Sequence, residues 1–165
     1  MFITVHAAAA TLIGKHIPNP YIAFACGLIS HFLLDIPPHG DTKMGKKFFG
    51  IKLSEPKHHH DIKPIAMIGM LDAVCLTMLV LYLFRTFDFV NSDSVVWAII
   101  GSILPDVNMI VYRLTGFKPL SYLEKLHQKN HYLLLNHMSG DIPFKYGIMF
   151  QLCVLGLFIW LISWV

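Results

Sequence analysis

Apolar positions along the chain gather into five stretches. A helix rises about 1.5 Å per residue, so a hydrocarbon core of about 30 Å takes roughly 20 apolar residues to cross. Ile65–Phe84, broken only by Asp72, and Tyr146–Val165 meet that length. Tyr21–Ile36 and Ser94–Tyr112 are near-spans; the first carries His31 and Asp35, the second Asp106 and Asn108. Phe2–Ile17 is short, rich in small residues and contains His6, which suits a short span or a re-entrant helix. It lacks the basic start of a signal peptide and runs into Pro18-Asn19-Pro20, so it is read as part of the mature fold.

Between the last two stretches, Ser121-Tyr-Leu-Glu124 has the spacing of a capping box, and Leu123, Leu126, Tyr132 and Leu133 add an apolar stripe. This predicts a helix lying on the membrane surface. The expected fold is therefore all-α: one domain over residues 1–165, an integral membrane bundle of four to five transmembrane helices, with an interfacial helix in the last cytoplasmic loop.

Composition supports this. Of 165 residues, 55% are hydrophobic and only 14% charged, and mean hydropathy is +0.58. Soluble domains run nearer 25% charged, and the same figures exclude disorder, collagen and a disulfide scaffold. A net charge of +3, unevenly placed, gives no case for nucleic acid. The basic residues matter by position. Lys43, Lys46, Lys47, Lys52, Lys57 and Lys63 fall in one long loop, and Arg113, Lys118, Lys125, Lys129 and Lys145 in another, leaving Lys15 and Arg85 for the opposite side. Basic loops stay inside, so both long loops are expected in the cytoplasm and the C-terminus outside, in a bacterial cytoplasmic membrane. Trp97, Trp160 and Trp164 fall near the opposite boundary, where indoles favour the interface. Cys26, Cys75 and Cys153 stand singly in apolar segments and read as small buried hydrophobes.

Polar residues at membrane depth are costly and mark sites. Here they share a level. His31 and Asp35, four apart, lie on one face at the cytoplasmic end of the second stretch, and the chain then turns through Pro37-Pro38 to His39 and Asp41. Asp106 lies toward the same end of the fourth stretch, and His6 in the first turns of the first. His127 and His131 form a second i, i+4 pair on the surface helix. Imidazole with carboxylate suits a divalent metal, zinc first, or manganese or iron where oxygen ligands predominate. Plainer readings stand beside this one. His31 and Asp35 can form an intramembrane hydrogen bond, Asp72 can join two helices, Glu124 can be the capping-box partner, and His58-His59-His60-Asp61 can be a solvated loop whose Asp61 caps the next helix. Gly27 and Gly101 each precede one of the aspartates by an apolar turn or two, the pattern of two hairpins related by a pseudo-twofold axis.

Three motifs carry a resemblance: His6 before a small-residue helix, Gly27-Leu-Ile-Ser-His31-Phe-Leu-Leu-Asp35, and Gly101-Ser-Ile-Leu-Pro-Asp106. Together they resemble the membrane-bound metal-dependent hydrolases, and the histidine–aspartate helix is similar to that of zinc-dependent phospholipases C. His127-Gln-Lys-Asn-His131 is similar to that family's paired histidines but is one residue shorter, and the order of the two aspartate motifs is reversed. The resemblance implies His6, His31, Asp35, Asp106, His127 and His131 as metal ligands, the same six that depth and spacing select.

The expected function is a membrane-embedded metal-dependent hydrolase, a phosphoesterase acting on a lipid or lipid-linked substrate at the cytoplasmic headgroup level. Asp41 is the expected general base, and His39 would protonate the leaving group or orient the phosphate. Lys43, Lys46 and Lys47 would draw in an anionic substrate or lipid, although the positive-inside signal alone accounts for them. The alternative is a non-catalytic protein that binds a metal structurally, moves it, or serves as a subunit. The almost wholly apolar outer halves of the helices count against a channel. The sequence contains no Gly-x-Ser-x-Gly elbow, phosphate loop, His-Glu-x-x-His or dinucleotide fingerprint.

Overall fold

The computed structural model describes residues 1–40, 62–135 and 141–164. Asp41, the lysines from Lys43 to Lys57, His58 to Asp61, and His137 lie outside these residues. Every described element is helical: α1 (Ile3–His16), α2 (Pro20–Leu34), α3 (Ile62–Thr86), α4 (Ser92–Thr115), a 3-10 turn (Lys118–Leu120), α5 (Ser121–Leu135) and α6 (Phe144–Trp164). Each of the five apolar stretches is a helix whose ends fall within a few residues of the expected ones.

Local chemistry sets several of these ends. Asn19 caps α2, its side-chain oxygen accepting from the Tyr21 and Ile22 N–H groups at 2.9 and 3.2 Å, and Pro20 takes the first helical position. Gly116 closes α4 in the left-handed conformation at φ 65°, its N–H bonded to the Tyr112 carbonyl. The expected capping box at Ser121 does not form. Ser121 has helical dihedrals (φ −63°, ψ −25°) because the 3-10 turn through Pro119 already leads the chain into α5, whereas an N-cap needs extended backbone. Glu124 is instead buried, and its Oε1 accepts from Gln128 Nε2 at 2.8 Å.

Among the described residues, three helical stretches are long and apolar enough to cross a membrane: Met67–Thr86, Ser92–Tyr112 and Phe144–Trp164; α2 is apolar but shorter. α1 is shorter still, and it is the axis of the bundle. Its residues Thr4 to Thr11 are all buried, and it packs against α2, α3, α4 and α6. Alanines suit that position, since small side chains let helices approach closely. The outside is apolar, with Met67, Met70, Leu71 and Met78 of α3 and Met149, Leu152 and Leu157 of α6 exposed, while His6, His31, Asp35 and Gln151 are buried. A polar interior inside an apolar shell is the arrangement of a chain integrated in a membrane.

α2 and α4 run parallel and in close contact. A Cβ added at Gly27 would collide with the Ala98 backbone, and one added at Gly101 with the Phe24 carbonyl. Each glycine therefore admits the other helix's main chain. At the far end, Ser94 Oγ donates to the Pro18 carbonyl at 2.7 Å, joining the α1–α2 turn to the start of α4.

Candidate metal centre

Close packing of α2 on α4 brings the two aspartate motifs to one end of the bundle. Asp35, the C-cap of α2, is buried at its centre. Around its Oδ2 stand His127 Nε2 at 3.0 Å and His31 Nε2 at 3.2 Å. Around Oδ1 stand His6 Nε2 at 3.2 Å, His39 Nε2 at 3.9 Å and the α-amino group of Met1 at 2.7 Å. Asp106 Oδ1 lies 3.8 Å from His127 Nε2.

Hydrogen bonding to main-chain carbonyls orients two of these rings. His31 Nδ1 lies 2.7 Å from the Ser102 carbonyl. A carbonyl only accepts, so Nδ1 carries a proton and Nε2 is the nitrogen that faces the cluster. By the same reasoning His39 donates from Nδ1 to the Pro37 carbonyl at 2.8 Å, and its Nε2 faces the Met1 amine at 2.8 Å. His6 stacks on His31 with ring centroids 4.1 Å apart. His6 Nε2 faces Asp35 Oδ1 at 3.2 Å, but among the described residues the buried Nδ1 on the other side of the ring has no hydrogen-bond partner. A native buried polar atom left unpartnered calls for an explanation, and a bound ion supplies one.

Among the described residues, two sets of side chains can place ligand atoms within 4.8 Å of one another: His6, His31 and Asp106, and His31, Asp35 and His127. They share His31, whose only available nitrogen is Nε2. One lone pair serves one ion, so the two sets describe alternative or joint ligands of a single ion. Imidazole and carboxylate ligands, with a carbonyl orienting His31 from behind, match the requirements of zinc and similar divalent cations. The donor set fits a metal.

Burial opposes a charge on His127, but its hydrogen bond to Asp35 and the charges of Asp106 and Asp35 outweigh that and raise its pKa above the ordinary value. Its Nε2 proton occupies the Asp35 Oδ2 side of the cluster, where a metal would have to displace it.

The surrounding residues fix the cluster in place. Asp72 reaches from α3 to the first turn of α1: Oδ2 accepts from the Ile3 N–H at 2.6 Å, Oδ1 from the Thr4 N–H at 3.2 Å, and the Thr4 hydroxyl also bonds it. The carboxylate thus satisfies N–H groups that a helix start leaves unpaired, and it sets the depth of α1 and of His6. Asp72 is a helix-joining residue. Gln151 of α6 accepts from the Phe2 N–H at 2.7 Å and donates to the His39 carbonyl at 3.1 Å. Gly147 lies against the His39 carbonyl, where a Cβ would not fit, and Asp141 accepts from the Gly40 N–H at 2.9 Å.

The structure brings together five of the six ligands expected from sequence, His6, His31, Asp35, Asp106 and His127. His131 packs on the His39 ring with centroids 4.8 Å apart and belongs to neither ligand set. His39 is at the cluster, and Asp41 lies outside the described residues. Sequence reasoning missed Gln151, Gly147 and Asp141. A lone glutamine within an apolar span was the available signal for the first. The chain matches no protein-family model, no curated protein and no solved structure.

Proposed function

We propose that the chain is a membrane-embedded metal-dependent hydrolase, a phosphoesterase whose substrate is a lipid or lipid-linked phosphoester at the cytoplasmic headgroup level. One observation carries this reading: buried imidazoles and carboxylates from α1, α2, α4 and α5 converge at one end of the bundle, with the buried Nδ1 of His6 unpartnered among the described residues. His6, His31, Asp35, Asp106 and His127 would hold the ion, zinc first, with manganese or iron as the other candidates. A bound ion would lower the pKa of a water and draw charge from the oxygens of a phosphoester. The chain's own part is to fix the imidazoles, through Ser102 for His31 and Pro37 for His39, and to keep the cluster buried among apolar helices. In this reading His39 protonates the leaving group or orients the phosphate, and Asp41 is the general base. The resemblance to membrane-bound metal-dependent hydrolases points the same way. The bundle would cross the membrane four to five times, with both long basic loops in the cytoplasm and the C-terminus outside.

A second reading is a non-catalytic metal-binding or structural membrane protein. The observation in its favour is that the His127 ring already compensates the Asp35 charge. Elemental analysis of the detergent-solubilised protein, beside His31→Ala and Asp106→Ala, decides first. Near-stoichiometric metal that both substitutions remove supports the site, and turnover of phosphoester substrates by the loaded protein then separates hydrolase from structural protein. An absence of metal after incubation with zinc, manganese and iron overturns both metal readings.

A further inference from the structure

α5 is amphipathic in the reverse sense. Its inner face is polar: Glu124 and His127 are buried, His131 rests on His39, and Asn130 Nδ2 donates to the Phe32 carbonyl at 2.7 Å. Its outer face is apolar. Tyr122, Leu126 and Leu133 fall within a narrow arc of the helix and are 78%, 54% and 49% exposed. A helix on the surface of a water-soluble protein turns these two faces the other way. Here the polar face meets the buried cluster, and the apolar face points away from every described element. The corner that leads into α5 continues this surface. An open groove of about 670 Å³ there is lined by Val111, Phe117, Pro119 and Leu120, with Lys118 at its side.

Charge identifies what covers the surface. Lys125 and Lys129 are exposed along the apolar arc, and Lys118 is exposed one turn before it. Glu124, the one acidic residue in the sequence of α5, is turned inward. Apolar side chains flanked by lysines are what an interfacial helix offers to anionic phospholipid.

We propose that the outer face of α5 and the adjoining groove are the seat of an anionic phospholipid surface. Tyr122, Leu126 and Leu133 enter the boundary between headgroups and acyl chains, and Lys118, Lys125 and Lys129 meet the phosphates. The seat does not depend on a metal. Its consequence for the centre does rest on the hydrolase reading: lipid on the outer face of α5 braces His127 on the inner face.

Nitroxide labels test this in the full-length chain. In a Cys26→Ala, Cys75→Ala, Cys153→Ala background reconstituted with chelator present, Leu126→Cys and Leu133→Cys each carry the label, with Gln128→Cys as the inner reference. Collision with oxygen, which partitions into lipid, is compared with collision with a water-soluble chromium chelate. The outer labels are expected to favour oxygen several-fold over chromium. That ratio should rise further when anionic phospholipid is added to zwitterionic bilayers. Lys118→Gln, Lys125→Gln and Lys129→Gln together should abolish the rise while leaving the zwitterionic ratio unchanged. Free collision of chromium with the outer labels in both bilayers overturns the proposal. Protection from both reagents overturns it too, since it means a second copy or another protein covers the face. Because the protein is metal-free throughout, a failure of the hydrolase reading leaves these results standing, and a failure here leaves the metal analysis untouched.

Discussion

Asp35 Oδ2 accepts a hydrogen bond from His127 Nε2 at 3.0 Å across 92 residues of sequence. That contact joins the end of α2 to α5. The same carboxylate faces His6, His31, His39 and the Met1 amine, so Asp35→Ala would leave several polar groups buried around a missing charge. Removing one partner of a buried ionic network costs about 3–5 kcal/mol. Asp35→Ala is expected to lower the unfolding temperature sharply and to abolish metal uptake, whereas Asp106→Ala abolishes uptake with a smaller loss of stability. Thermal unfolding in detergent and elemental analysis check both. Full metal content in Asp35→Ala would remove this residue from the ligand set.

pH acts in opposite directions on the metal-free and metal-bound protein. The pKa of His127 is raised above 6.5: burial lowers it, but the Asp35 hydrogen bond and the Asp106 and Asp35 charges more than reverse that. A raised folded-state pKa contributes stability that is complete below the unfolded value and is lost as pH rises through the folded one. The metal-free protein therefore loses this contribution as pH rises from about 6.5 through the raised folded-state value. Metal must displace the same proton, so metal affinity increases over that range with release of about one proton per ion from His127. Calorimetric titrations in buffers of different ionisation heat measure the proton count. A His127→Gln variant should release correspondingly fewer protons.

Asp72 holds the first turn of α1 from another helix. Asp72→Ala leaves the Ile3 and Thr4 N–H groups without this acceptor, a loss of about 1–3 kcal/mol. It also frees His6 to shift along the bundle axis, and outer-shell changes of this kind weaken metal binding by about 10–100-fold. Asp72→Asn keeps one oxygen acceptor and should fall between the parent and Asp72→Ala. Metal titration of the three proteins decides whether Asp72 positions the site: equal affinities with unequal stabilities would confine it to folding.

Close contact between α2 and α4 makes two glycines irreplaceable and leaves two others free. Gly27→Ala and Gly101→Ala each drive a Cβ into the backbone of the opposite helix, an overpacking loss of about 1–3 kcal/mol. They should also loosen the His31–Ser102 contact, which depends on the same approach. Gly69 and Gly156 have no atom within 4 Å of an added Cβ, so Gly69→Ala and Gly156→Ala are expected to stabilise their helices by roughly 0.5–1 kcal/mol. Unfolding midpoints of the four variants check this pattern, and metal content should fall only in the first pair.

Much of this was legible because it depends on period and depth. The i, i+4 spacing of His31 and Asp35 put them on one face whatever α2 packed against, and the cost of Asp106 within an apolar stretch marked it without knowledge of its neighbours. The parts that were missed depend on main chain or on context. The Ser102 carbonyl that orients His31 has no side-chain signature, and Gly147 gains its meaning only from the His39 backbone beside it. Ser121 was misread because a capping box is a local pattern, whereas the preceding turn through Pro119 had already made the backbone helical. His127 and His131 show the limit of periodicity: four apart on one face, they reach different parts of the site, one at Asp35 and the other at His39.

The enclosure of α1 bears on how the molecule is made. Its 14 residues span about 21 Å as a helix, too short to cross the bilayer core unaided. Its surroundings include α6: Lys15 Nζ donates to the Ile162 carbonyl at 2.8 Å near one end, and the Phe2 N–H donates to Gln151 at 2.7 Å near the other. Of the described helices, α1 is synthesised first and α6 last. Order of synthesis and order of burial are therefore reversed, and α1 with its histidine must wait at the membrane surface or in a partial bundle until α6 has been made.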